Sequence, residues 1–171
     1  MPPGLKRYQQ TQNFHFITFS CYRRRPFLET ATAKDITERM LEETRRRQGL
    51  RIAAYVLMPE HVHLLSDEPA SDTLAIFLQI FKQLTSRELK PSGEKQFWQR
   101  RYHDFNVTSE EKRTEKIRYI HRNPVTRGLV TRPEDYRWSS FNHYATGEVG
   151  TVEIESEWTA RRRERTGWSS S

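Results

Sequence analysis

Tyr55-Val-Leu-Met-Pro-Glu-His-Val-His-Leu-Leu65 is the stretch on which the rest of the chain can be hung. It reads as an apolar strand, a turn at Pro59-Glu60, and a second strand that carries two histidines around one valine. Alternate side chains of a strand share a face. His61 and His63 therefore project the same way, with α-carbons about 6.5 Å apart. Two imidazoles so placed can meet at one metal ion. Val62 and Leu64 point to the opposite face and can serve a core.

Working outward, residues 51–58 and 61–66 form a hairpin. Upstream, Asn13-Phe-His-Phe-Ile-Thr-Phe-Ser-Cys-Tyr22 is dense in aromatic and β-branched residues and apolar on both alternating sets, which predicts a central strand. His15 within it reads as structural and stays out of the site. Arg23-Arg24-Arg25-Pro26 is a charged turn. Residues 30–48 have an apolar stripe at Ala33, Ile36, Met40 and Leu41 with Glu and Arg elsewhere, and Gly49 stops them, so they predict a helix. A second helix runs from a cap at Ser71 or Asp72 to about Leu89, with Leu74, Phe77, Leu78, Phe81 and Leu84 on its buried face. Part of 97–107 supplies a fourth strand. Thr108-Ser-Glu-Glu111 fits a capping box, and the helix it opens should stop near Arg122, ahead of Pro124. Tyr119 and Asn123 lie four apart on that helix.

The order β, α, β, β, α, β, then a further helix predicts an α+β fold. It is the ferredoxin-like, split βαβ arrangement: an antiparallel sheet with two helices on one face, plus an additional C-terminal helix carrying Tyr119. In that topology the first and third strands are neighbours at the centre. An aromatic-rich segment, 135–144, packs back on the body. Residues 1–146 are expected to form one catalytic domain. Residues 147–171, poor in apolar side chains and ending in an Arg run, are expected to form a basic, flexible tail.

The chain has 171 residues, with 29 Lys and Arg against 22 Asp and Glu, a net charge of +7. Of the basic residues 22 are arginine, whose planar fork matches phosphate, so an anionic polymer is the expected partner. A single cysteine, Cys21, excludes an intrachain disulfide framework and a Cys-based zinc site. No apolar run is long enough for a membrane span or a signal-peptide core, which points to the cytoplasm.

A lone His-x-His is weak evidence, because it recurs by chance. Its combination with Tyr119 and Asn123 is stronger. Two neutral imidazoles and an amide oxygen leave a divalent ion strongly Lewis acidic, with positions open for phosphate oxygens. A tyrosine oxygen could then attack phosphorus in line and form a phosphotyrosine. A zinc site fits less well, since zinc favours four ligands with Cys or a third His. Glu60 reads as solvated in its turn, and Asp104 and Glu115 stay open as other carboxylates. Aromatic and basic residues alternate in 97–107. They suit a single-stranded nucleic acid as well as they suit an edge strand with ordinary core aromatics. Arg100, Arg101, Arg118, Arg122 and Arg127 are the candidate phosphate contacts.

Leu57-Met-Pro-Glu-His-Val-His-Leu-Leu65, Tyr119-Ile-His-Arg-Asn-Pro-Val125, Gly128-Leu-Val130 and Tyr136-Arg-Trp-Ser-Ser140 occur in this order over roughly 8–146. Together they resemble the single-tyrosine HUH transposases, and within them the REP-associated tyrosine transposases. The resemblance implies a metal-dependent endonuclease and strand transferase that cuts single-stranded DNA beside hairpins through a covalent 5′-phosphotyrosine and can religate. It implies Mg²⁺ or Mn²⁺ held by His61, His63 and Asn123, with Tyr119 as nucleophile. The implied partners are REP-type or insertion-sequence-end hairpins in the nucleoid, bound by a monomer or a homodimer. Three other readings compete: a hairpin-binding protein that no longer cuts, a replication initiator or relaxase, and an RNA-binding ferredoxin-like domain. The intact set His61, His63, Tyr119 and Asn123 argues against the first and third. The short chain and the Tyr119–Val125 string argue against the second.

Overall fold

The computed structural model describes residues 13–167. Four strands form one antiparallel sheet: β1 (Phe14–Ser20), β2 (Ile52–Leu57), β3 (His61–Ser66) and β4 (His103–Val107). Their order is β2-β3-β1-β4, so β1 and β3 hold the centre, as the βαββαβ pattern requires. The helices are α1 (Ala31–Gln48), α2 (Leu74–Leu89), α3 (Glu110–Thr126), α4 (Phe141–Thr146) and α5 (Glu157–Arg165).

The alternation in β1 and β3 divides the molecule into two layers. Ile17, Phe19, Val62 and Leu64 face one way and pack with Leu41 of α1 and Phe77, Leu78 and Phe81 of α2. The opposite face carries Val56, Met58 and Leu65, covered by Ile120 of α3 and by Tyr136. The histidines share this second face. Register fixes their neighbours: Thr18 pairs with His63, and Ser20 with His61. The turn between β2 and β3 is closed by one bond of its own and held by two other segments. Met58 N–H donates to the His61 carbonyl, Cys21 N–H to that of Glu60, and Leu28 N–H to that of Pro59.

Several local expectations shift. Thr73, rather than Ser71 or Asp72, caps α2, its hydroxyl accepting from the Ile76 amide. Ser109 caps α3. Helix α3 does not stop near Arg122; it runs through Pro124 to Thr126. A proline costs a helix one N–H and a steric clash, but here it sits in the last turn. There it is buried beside Asn123, and Leu129 and Arg127 donate to the carbonyls of Pro124 and Asn123. Phe97 and Trp98 are core residues, with Trp98 bridging to Cys21.

The described part of 147–171 is not a loose tail. Val152 and Ile154 are buried in the main core cluster, and Ile154 bridges to Ile52 at the sheet edge. Gly147, at φ +79, terminates α4 where a Cβ would collide with the Trp158 ring, and the Trp158 indole donates to the Tyr144 carbonyl. Two apolar side chains at alternate positions anchor this segment, too few to register in a composition dominated by Arg and Glu. The Arg161–Arg165 run lies on α5, and Arg163 pairs with Glu153 and Glu155. Among the described residues no helix is long and apolar enough to cross a membrane.

Candidate metal and nucleophile site

His61 and His63 are both about 95 % buried, and their Nε2 atoms approach to 3.1 Å. Each ring is held from behind. His61 Nδ1 lies 3.0 Å from Glu60 Oε1. A carboxylate only accepts, so Nδ1 carries the proton and Nε2 the lone pair. His63 Nδ1 lies 2.8 Å from the Thr18 hydroxyl, which can accept or donate. With Thr18 accepting, both Nε2 lone pairs face the same point. Burial lowers the His61 pKa against the opposing pull of Glu60, and burial together with neighbouring His61 lowers that of His63 to about 3. Both rings are therefore neutral near pH 7, the protonation state of a metal ligand.

Glu60 is buried, not solvated as its turn position suggests. Burial pushes its pKa up, but the Arg127 hydrogen bond, the interaction with His61 and the Arg127 charge outweigh that and hold it below the usual value. Its Oε1 accepts from Arg127 at 2.5 Å and from Arg24 at 3.4 Å. Arg127 follows α3 directly, so one carboxylate ties the end of that helix to the turn before His61. Arg24 reaches Glu60 from a short turn in which Arg23 and Arg24 both take positive φ, 55° and 54°. That conformation is costly for residues with a Cβ and is retained where surrounding contacts fix it. Composition could not reveal this partnership. The one hint was that Glu60 precedes His61.

Tyr119 projects from α3 onto the sheet of its own chain. Its ring lies 5.3 Å from that of His63 and 5.9 Å from that of Phe16, edge-on to both. Phe16 in turn stacks on His63 at 5.4 Å. Tyr119 remains half exposed. Asn123, one turn on, is buried, and its Oδ1 has no hydrogen-bond partner among the described residues. An unsatisfied buried acceptor is rare and costly. Tyr119, Asn123, Arg118, Arg122 and Arg127 line one groove of about 790 Å³ along α3. Two residues the sequence reading passed over fix the helix: His121 Nε2 lies 2.8 Å from the Ser140 hydroxyl, and Ser140 is bonded to the Tyr55 backbone.

The donor set can be tested against a divalent cation. Neighbouring ligands of an octahedral ion with bonds of about 2.1 Å stand about 3 Å apart. The Nε2–Nε2 separation of 3.1 Å matches. Among the described residues no group of three or more His, Cys, Asp or Glu could hold a metal. Asn123 Oδ1, which has no hydrogen-bond partner among the described residues, is a neutral oxygen of the kind a hard divalent cation accepts. Of the other carboxylates, Asp104 lies 2.8 Å from His15 Nδ1, and Glu115 lines the α3 groove but pairs with Lys112. Cys21 is buried, and burial raises its thiol to about 12, so it is chemically quiet. Arg101 is exposed, and Arg100 lines a different groove.

The description "Transposase IS200 like" matches residues 8–123, a span that includes His61, His63, Tyr119 and Asn123. Over 137 residues the chain is 26 % identical to the REP-associated tyrosine transposase of Escherichia coli (strain K12), covering 80 % of this chain and 81 % of that protein. The solved structure of a REP-associated tyrosine transposase bound to a REP hairpin superposes with a TM-score of 0.68 at 22 % identity. It covers 85 % of this chain and 87 % of the other, and it shares the fold. With two thirds of its length matched by one family, the chain belongs to the IS200-like transposases.

Proposed function

We propose that this chain is a metal-dependent endonuclease and strand transferase for single-stranded DNA, cutting beside a hairpin with Tyr119 as its nucleophile. The observation that carries the reading is the contact of Tyr119 with His63 in one chain, on the face where the two Nε2 atoms converge. The REP hairpin bound by the structural relative supports a hairpin substrate of the same kind.

His61, His63 and Asn123 would hold Mg²⁺ or Mn²⁺, which when bound supplies Lewis-acid polarisation of the scissile phosphate. Glu60 fixes the His61 tautomer, and Thr18 orients His63. The Tyr119 oxygen bonds to phosphorus as the P–O3′ bond opens. The phenol proton passes to solvent, and the departing 3′ oxygen takes one up as a hydroxyl. A 3′-hydroxyl attacking the same phosphorus reverses the step, reseals the strand and frees Tyr119 without ATP. Arg118 and Arg122 flank the tyrosine and contact phosphates, whereas Arg127 acts through Glu60. Because Tyr119 already meets His63 of its own chain, the site works in cis and a monomer suffices, acting in the cytoplasm on nucleoid DNA.

The test is incubation with end-labelled hairpin oligonucleotides and Mn²⁺. The proposal expects a denaturation-resistant protein–DNA adduct with release of a 3′-hydroxyl fragment. No adduct with any hairpin bearing single-stranded flanks would overturn it.

A further inference from the structure

A second groove, of about 920 Å³, lies between α2 and the segment leading into β4. Four cations line it, Lys82, Arg87, Lys95 and Arg100, and no carboxylate does. None of the four has a salt-bridge partner among the described residues, whereas Arg24 and Arg127 pair with Glu60, and Arg161 and Arg163 of α5 pair with glutamates. Lys82 is partly buried with only the Gln99 carbonyl and the faces of Phe19 and Tyr102 for company. Burial lowers its pKa to about 8, the mark of a cation held without a counter-charge. The rest of the lining includes four glutamines: Gln79, Gln83, Gln96 and Gln99.

Unpaired cations facing amides, with a tyrosine between them, suit a polymer that brings both phosphates and unpaired base edges. Cations take the phosphates, the amides of Gln79 and Gln83 can bond bidentately to a base edge such as that of adenine while Gln96 and Gln99 are engaged by the Trp98 carbonyl and the Arg23 amide, and an aromatic ring offers a stacking surface. A duplex fits poorly, because base edges in a major groove are read by a convex element and this surface is concave. The groove also abuts the strand that pairs with the histidines, from the opposite face of the sheet. Gln99 N–H donates to the Ser20 carbonyl, and Ser20 pairs with His61 across the sheet. Two strand spacings, about 10 Å, separate Gln99 from His61.

We infer that this groove is a second track for single-stranded DNA, which takes the unpaired strand leading away from Tyr119 around the β4 edge. The track rests on the strand-transfer reading only for which strand it receives; its ligand class follows from its own side chains.

The experiment compares the full chain with an Arg87→Gln/Lys95→Gln/Arg100→Gln variant, whose three positions are exposed and leave the core intact. A variant with Arg161, Arg162 and Arg165 changed to Gln controls for net charge. Binding to unstructured oligo-dT is followed by fluorescence anisotropy over a salt series. The groove variant should bind about 10- to 100-fold more weakly at low salt, and its log K against log[salt] slope should flatten by about 2, near 0.7 per lost phosphate contact. The control should change far less. Irradiation of an oligonucleotide containing 5-iododeoxyuridine should crosslink Tyr102. Wild-type-like binding by the groove variant, an equal loss in the control, or equal competition by duplex DNA would each overturn the inference. If the wild type binds through the groove yet never forms an adduct with hairpin DNA, the track stands and the strand-transfer reading falls.

Discussion

His63 and Tyr119 lie ring against ring within one chain, 5.3 Å between centroids, although 55 residues separate them in sequence. The contact is made by folding α3 onto the face of the sheet that α1 and α2 leave uncovered. Two interactions keep it there: the Arg127–Glu60 ion pair beyond the helix end and the His121–Ser140 hydrogen bond in its middle.

Glu60 should govern metal affinity without touching the metal. Replacing it with alanine frees the His61 ring to rotate and change tautomer. Partners of this kind typically change affinity 10- to 100-fold. A Mn²⁺ titration followed by electron paramagnetic resonance should show a loss of that size for Glu60→Ala and a smaller one for Glu60→Gln, which can still accept from Nδ1. Unchanged affinity in Glu60→Ala would show that the bond is incidental.

Asn123 gives a prediction of opposite signs. Its buried Oδ1 lacks a partner, at a cost of about 1–3 kcal/mol for such a group. Asn123→Ala should leave the metal-free protein as stable as the wild type or more so in urea unfolding, while Mn²⁺ affinity falls. A loss of stability with unchanged metal affinity would make Asn123 a structural residue.

His121 sets a pH dependence. Burial lowers its pKa from 6.5 to about 4. Above pH 6.5 the folded and unfolded chains are both neutral there, and its full contribution to stability is present. As pH falls from 6.5 toward 4 the unfolded chain takes up a proton that the folded ring refuses, so stability falls by about 3 kcal/mol and then levels. Melting temperature measured across that window should drop, and His121→Gln should remove its share of that slope, the remainder belonging to His61 and His63, whose pKa values burial also lowers. An equal slope in both proteins would place the titration elsewhere.

The segment after α4 should matter for folding. Ile154 is 3 % exposed within the main core. Ile154→Ala should cost about 2–5 kcal/mol, read from the urea midpoint. A change below about 0.5 kcal/mol, the range of ordinary surface substitutions, would return this segment to the status of a tail.

These contrasts show what was legible in the sequence. The alternation around Val62 and the β, α, β, β, α, β order led to the correct sheet, because period and element order are local properties. The pairing of His61 with His63 followed from the same alternation. The Glu60 network did not, since its partners Arg24 and Arg127 come from distant turns and only the fold brings them together. Pro124 misled for a related reason: the helical penalty it carries is local, while the burial and capping that offset it are tertiary. Val152 and Ile154 were hidden by the charged residues around them. Phe97 and Trp98 resolved as core, leaving Arg100 to face the groove and Arg101 to face solvent.

The most direct test of the account digests the DNA adduct with trypsin and locates the modified peptide by mass spectrometry. Cleavage after Arg118 and Arg122 isolates Tyr119-Ile-His-Arg122. This peptide is expected to carry the 5′-phosphoryl nucleotide on its tyrosine, and Tyr119→Phe is expected to yield no adduct. An adduct mapped to any other residue, or one that persists in Tyr119→Phe, would contradict it.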